Sequence, residues 1–326
     1  MMAIVYHQYG SADAVEYAEV EKPAVGKNQV LVKVHAASLN ALDWHLLSAD
    51  IFLVRLMGGL RKPKDPRLGY DLAGRVEAVG SEVTRFHPGD EVFGAGAGAF
   101  AEYAAADEPN LALKPVTLPF ETAAAVPVAA LTALQGLRDH GRIQPGQRVL
   151  IQGASGGVGT FAVQIAKAFG AEVTAVCSTR NVDLVRSIGA DHVIDYTGED
   201  FTRKGQQYDL ILAVNGYHPL AAYRRALSRR GRLVLVGASA DRLTRAMFQA
   251  VTLGPLISMI GGQKMVFLGK ADIKQQDLLF VAELIGAGKV VPVIDRFYRL
   301  SETAEAFRYY AEVHPRGKVV IQVWQN

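Results

Sequence analysis

One cysteine, Cys177, stands in 326 residues. That scarcity excludes an intramolecular disulfide framework and any multi-cysteine metal site, and it fits a reducing compartment. Charge of one sign is also missing, since 35 lysines and arginines meet 32 aspartates and glutamates for a formal net charge of +3. Charges so balanced and so spread give no strong field for nucleic acid or an anionic membrane, which favours a small-molecule ligand. No apolar run reaches the about 20 residues of a membrane helix. The most apolar stretch, residues 247–268, is interrupted by Gln249, Pro255, Gly261, Gly262, Gln263 and Lys264, and it reads as a buried helix plus a turn. The N-terminus lacks a basic flank, an apolar core and a small-residue cleavage site, so it reads as a first strand and not as a secretory signal. A cytoplasmic protein with no membrane span is the expectation. Internal repeats are missing too, as is any spacing of serine, histidine and acid that suggests a nucleophile.

The chain does carry apolar residues, half of the total, and 32 glycines. Its length suits two domains of ordinary size. In residues 30–35 and 74–80, β-branched residues lie between glycines and charges, and Pro88-Gly89-Asp90 marks a turn, so the first third reads as mostly β. After about residue 120 short apolar runs alternate with helix-period segments: residues 149–151, 172–176, 193–194, 210–214 and 233–236 suit parallel strands buried on both faces. The tail, Lys318-Val319-Val320-Ile321-Gln322-Val323, is again β in character and is suited to pairing with the N-terminal β region. Residues 94–99 alternate glycine and alanine and read as a permissive loop.

The strand Val149-Leu150-Ile151 runs into Gly153-Ala154-Ser155-Gly156-Gly157-Val158-Gly159-Thr160 and then a helix. A pyrophosphate needs a turn with no Cβ in its way, exposed N–H groups and the positive end of a helix dipole, and this order supplies all three. A cofactor of the NAD type usually meets an acidic residue about 20 positions after the first glycine, where the carboxylate accepts from the ribose 2′-OH. Here that place holds Cys177-Ser178-Thr179-Arg180-Asn181. Two hydroxyls and a guanidinium donate to a 2′-phosphate that a carboxylate would repel, which favours NADPH.

Over nearly its whole length the sequence resembles the medium-chain dehydrogenase/reductase superfamily. The segments that carry the resemblance are Gly74-Arg75-Val76-Glu77-Ala78-Val79-Gly80, Pro88-Gly89-Asp90-Glu91-Val92-Phe93-Gly94, the glycine cluster with Gln164-Ile165-Ala166-Lys167, and Gly189-Ala190-Asp191-His192-Val193-Ile194-Asp195-Tyr196. The resemblance implies an α/β fold: a Rossmann doubly wound parallel sheet (120–265) inserted into a GroES-like β-rich domain (1–119 and 266–326), with the active site in the cleft. Zinc-dependent members hold their metal with a cysteine in the region matching residues 38–43 and a histidine before a glutamate. This chain has Ser38-Leu39-Asn40-Ala41-Leu42-Asp43 and Tyr70-Asp71 there, and no structural-zinc cysteines, so no metal is expected. The Asn40 and Asp43 pattern is similar to the quinone-reductase branch, and Trp44-His45 to its quinone and enone oxidoreductases, in which a lysine commonly follows the tryptophan.

The resemblance implies that Gly153, Ser155, Gly156, Gly157, Val158 and Gly159 hold the pyrophosphate. It places Ser178, Thr179, Arg180, Asn181 and Tyr196 around the adenosine phosphate, and Asn215, Gly237 and Ala238 at strand ends facing the ribose and nicotinamide. Phe267-Leu268 and Lys318 are weaker carry-overs. The implied reaction is hydride transfer to a quinone or an α,β-unsaturated carbonyl, with Asn40, His45 and Tyr70 as candidates to hydrogen-bond the substrate oxygen or move a proton. Relatives commonly form homodimers through the Rossmann sheet. Two other readings share the fold: an enoyl-thioester reductase, and a non-catalytic NADPH-binding protein of the crystallin type, with RNA as a conceivable partner of Arg224, Arg225, Arg229, Arg230 and Arg232. A charged, solvated helix face before a strand is the commoner explanation of those arginines.

Overall fold

The computed structural model describes residues 1–216, 218–237 and 262–324. The chain forms two compact units, one of Met1–Leu131, Ile273–Gly286 and Pro292–Asn326, the other of Thr132–Asp272 and Ala287–Val291. The first division thus falls beyond the composition change near residue 120, because the short helix Phe120–Ala124 packs on the strands Gln29–Leu39 and Asp71–Val79 of the first unit.

Among its described residues the first unit is built on a seven-stranded sheet. The long strand Gln29–Leu39 lies at its heart, antiparallel to Asp71–Val79, Tyr103–Asp107 and the C-terminal strand Lys318–Gln322. Return of the tail to the N-terminal sheet is therefore realised in backbone hydrogen bonds. Val30, Val32 and Val34, on one face of the long strand by the period of two, pack with Leu72, Phe100, Phe307 and Ile321 in the core. The β character of this third is broken by two helices, Ala41–Ser48 and Phe52–Gly58.

The second unit carries a six-stranded sheet, all parallel, in the order His192–Asp195, Glu172–Cys177, Arg148–Gln152, Tyr208–Val214, Leu227–Val236, Lys264–Leu268. Successive strands first step outward from Arg148–Gln152 and then resume on its other side at Tyr208–Val214. That reversal is a topological switch point, where open α/β sheets place ligands at the carboxyl ends of their strands. Two expectations change here. Of the stretch read as helix and turn, residues 264–268 form the edge strand, and 247–261 lie outside the described residues. Arg229, Arg230 and Arg232 lie on the strand Leu227–Val236, with only Arg224 and Arg225 on the preceding helix Leu220–Ala226.

Candidate functional site

The glycine turn sits at the switch point. Gly153 leaves the strand Arg148–Gln152 with φ +74°, and a Cβ there would lie 2.6 Å from the Val214 carbonyl oxygen. Gly159 is packed face to face with the same turn, since its Cβ would stand 2.0 Å from the Gly153 carbonyl oxygen. Gly156 differs: among the described residues a Cβ would meet nothing nearer than 3.7 Å, so none of them requires glycine there. Gly156 is the N-cap of the helix Gly157–Ala168, whose first internal bond runs from Thr160 N to the Gly156 carbonyl, 2.9 Å. The N–H groups of Gly157, Val158 and Gly159 consequently have no partner within the helix. Three donors at the positive end of a twelve-residue helix, approached over a residue without a side chain, suit a pyrophosphate.

Beyond the strand Glu172–Cys177, the chain turns through Ser178 into a short 3-10 turn, Thr179–Asn181. Asn181 is buried, and its Nδ2 donates to Ser155 Oγ (2.9 Å) and Ser178 Oγ (3.2 Å). Arg180 and Tyr196 stand at the surface, Tyr196 51% exposed. Thr179 has a different partner: its hydroxyl donates to Asp195 Oδ2 at 2.6 Å, and Thr197 donates to the other carboxylate oxygen at 2.8 Å. Asp195 closes the neighbouring strand, opposite Cys177 in register. The bonds from Thr179 and Thr197 hold its carboxyl below the usual range. A carboxylate therefore stands beside the segment in which the sequence shows none, and register, not spacing, brings it there.

Asn215, with φ +55°, follows the strand Tyr208–Val214, its N–H donating to the Val236 carbonyl at 2.9 Å. Gly237, with φ +64°, follows Leu227–Val236, and among the described residues nothing lies within 4 Å of where its Cβ would stand. Asn215 lies at the carboxyl end of a strand that flanks the switch point, and Gly237 at that of the next strand out; Ala238 lies outside the described residues.

The first unit holds a buried polar cluster. Lys318 is 2% exposed, and its Nζ donates to Asn40 Oδ1 (2.5 Å), the Leu39 carbonyl (3.1 Å) and Asp71 Oδ2 (3.3 Å). Those three bonds use all its hydrogens. Asp71 also accepts from Ser38 Oγ (2.9 Å), Asn40 Nδ2 (2.9 Å) and the Val128 N–H (2.9 Å). Asn40 caps the helix Ala41–Ser48, its N–H donating to Asp43 Oδ2 at 2.8 Å, and its second amide hydrogen turns to the Ser38 carbonyl at 3.4 Å. Both amide hydrogens of Asn40 thus have acceptors inside the protein. Burial pushes the Lys318 ammonium below its ordinary value, against the pull of Asp71 and Asp43. Burial also raises the Asp43 carboxyl to about 7, and its Oδ1 is buried without a hydrogen-bond partner.

His45 lies on the same helix, half-buried, with Nδ1 2.9 Å from Asp50 Oδ1. Ala49 ends the helix in a left-handed conformation, φ +46°, and this turn brings Asp50 back toward the ring. No motif in the sequence marks Asp50; an acid just past a helix end near a histidine is the local signal for it. Tyr70, half-buried, accepts from the Gly96 N–H through its carbonyl, 2.8 Å. No group of three or more histidine, cysteine, aspartate or glutamate side chains able to hold a metal occurs among the described residues. At the positions matching zinc ligands, the Asp71 carboxylate is already matched by the Lys318 ammonium at 3.3 Å. The donor set does not fit a catalytic zinc.

Comparison with known proteins bears on the same two regions. The alcohol dehydrogenase GroES-like domain family matches residues 26–116, and the zinc-binding dehydrogenase family matches residues 188–321. A chloroplastic quinone-oxidoreductase of Triphysaria versicolor is 33% identical over 348 residues, covering 99% of this chain and 98% of that protein. A mitochondrial NAD(P)H oxidoreductase of Mus musculus is 34% identical over 359 residues, covering 99% of this chain and 89% of that one. The solved quinone oxidoreductase from Coxiella burnetii superposes with a TM-score of 0.87 at 29% identity, over 99% of each chain. Among the described residues no helix is long and apolar enough to cross a membrane.

Proposed function

Because the chain belongs to the medium-chain dehydrogenase/reductase superfamily, in its zinc-free quinone oxidoreductase branch, we propose that it is an NADPH-dependent reductase of quinones or α,β-unsaturated carbonyls. The observation that carries this reading is the turn at Gly153, Gly156 and Gly159, where close packing and open space together leave a cradle for a dinucleotide. When bound, the nicotinamide supplies a hydride. The N–H groups of Gly157, Val158 and Gly159 hold the pyrophosphate. Ser178, Arg180 and Tyr196 hold the 2′-phosphate, while Asn215 and Gly237 line the ribose and nicotinamide side. Thr179, its hydroxyl given to Asp195, braces the segment without touching phosphate.

Quinones and enones share a conjugated carbonyl whose oxygen gains negative charge as hydride arrives at the far carbon, so a donor near that oxygen is what the protein must provide. The Tyr70 hydroxyl and the His45 Nε2 take this role. Asp50 occupies the His45 Nδ1 and leaves Nε2 to exchange the proton. Asn40 acts behind them, tying the start of its helix to Asp71. Burial pushes the Cys177 thiol up to about 11, keeping it inert. The test is NADPH oxidation with quinones, enals, enones and enoyl thioesters, with and without strong chelator. Chelator-resistant turnover of a quinone or enone is expected. Turnover of thioesters alone, or none at all with salt-dependent RNA binding, would overturn the reading.

A further inference from the structure

We propose that Asn181 is the positioning residue of the phosphate site, turning the hydroxyls of Ser155 and Ser178 outward as donors and so coupling the glycine turn to the 2′-phosphate segment. This rests on the NADPH reading above and deepens it.

The two serines belong to loops after different strands, and one amide joins them. Each hydrogen of Asn181 Nδ2 goes to one hydroxyl oxygen, at 2.9 Å to Ser155 and 3.2 Å to Ser178. A hydroxyl whose oxygen accepts from an amide must aim its own hydrogen elsewhere. Among the described residues neither serine hydroxyl donates to a protein acceptor, so both hydrogens are left for a ligand. Together with the unpaired N–H groups of Gly157, Val158 and Gly159, they form an array of donors alone, the pattern an anion requires. Thr179 shows the contrary case, its hydroxyl committed to Asp195 at 2.6 Å.

Asn181 itself is held firmly. It is 5% exposed, and its N–H donates to the Ser178 carbonyl at 2.9 Å. Its Oδ1 is buried with no partner, an open acceptor that a ribose hydroxyl or a bound water can fill. A buried acceptor left unpaired costs stability, so packing alone does not account for an amide at this position. Aspartate has nearly the same shape but only accepts: it would draw both serine hydrogens inward and add a charge that repels phosphate.

The test is calorimetric titration of NADPH, NADH, 2′,5′-ADP and 5′-ADP against wild type, Asn181→Ala, Asn181→Asp, Ser178→Ala and the double variant Asn181→Ala/Ser178→Ala, each checked for folding by thermal melting. Asn181→Ala should weaken NADPH about tenfold and NADH about threefold, and Asn181→Asp should weaken NADPH about a hundredfold. In the Ser178→Ala background, the extra loss of NADPH over NADH should vanish, because residues acting as one unit are not additive. If the alanine variant unfolds, the near-isosteric Asn181→Asp carries the cycle instead. Wild type that binds 2′,5′-ADP no tighter than 5′-ADP overturns the NADPH reading and the Ser178 arm with it. Clear wild-type preference combined with additive losses, or with Asn181→Asp binding as well as Asn181→Ala, overturns the role of Asn181 alone.

Discussion

Around Lys318, side chains from strands and a helix cap spend their hydrogen bonds on one another and on nearby backbone: the ammonium gives three, the Asn40 amide gives two, and Asp71 accepts on both oxygens. Around Asn181 the side chains also touch, yet they end with donors in hand: two serine hydrogens and the first-turn N–H groups of the helix Gly157–Ala168. The first cluster is closed and the second is open. Both are rich in polar atoms, so polarity alone does not identify a binding site; the surplus of donors or acceptors does, because an unmet polar group is costly unless something comes to meet it.

The contrast breaks most visibly at Lys318. Lys318→Met leaves the Asp71 carboxylate buried without its counter-charge, and urea denaturation should show a loss of about 3–5 kcal/mol. Adding Asp71→Asn should recover much of it, and a single variant as stable as wild type would show that the cluster is not closed in solution. At the open site the large effect is on ligand and not on fold. Arg180→Ala should weaken NADPH about tenfold, with NADH and the melting temperature nearly unchanged. Ser178→Asp should go further and tilt preference toward NADH, by repelling the phosphate and accepting from a ribose hydroxyl. Equal loss of both cofactors in Arg180→Ala would remove this segment from the 2′-phosphate site.

Smaller is the effect of Asp43, the one member of the closed cluster with an orphaned oxygen. Its folded carboxyl titrates near 7, above the ordinary carboxylate value of 3.8, so the folded state holds the proton more tightly than the unfolded chain does. Its contribution to stability is therefore greatest below the ordinary carboxylate range and falls as pH rises toward about 7. Asp43→Asn keeps an acceptor for the Asn40 N–H and should flatten that slope, gaining about 1 kcal/mol above neutrality. A slope unchanged in the variant would assign it to another group. Smallest is Asp195→Asn, which removes the charge beside Thr179 and should tighten NADPH about threefold at low salt, less at high salt. No change would mean that Asp195 does not feel the 2′-phosphate.

Much of the open site was legible in the chain because its parts are local. The turn from Gly153 to Gly159 joins a strand directly to a helix, and the backbone geometry of the proposed phosphate cradle is what glycine spacing announces. The closed site was not legible. Lys318 reaches Asn40 across 278 positions only because Val319 pairs with Leu39 and Asp71 with Ser38. A shift of one residue in either register would turn those side chains to the opposite face. The same limit hid Asp195, which meets Thr179 through the pairing of Asp195 with Cys177.

The sequence by itself determined the parallel α/β core, the return of the tail to the N-terminal sheet and the glycine turn between strand and helix. Each depends on residue type, short-range spacing or hydrophobic period, which are properties of the chain alone. Tertiary structure decided which polar groups are consumed and which are left to act: that Asn40 gives its amide to Asp71, that Lys318 is a buried counter-charge, and that Asn181 holds two serines at once. Those outcomes depend on which side chains meet when distant strands take their register, and hydrogen bonds, being short and directional, are made or lost over an ångström.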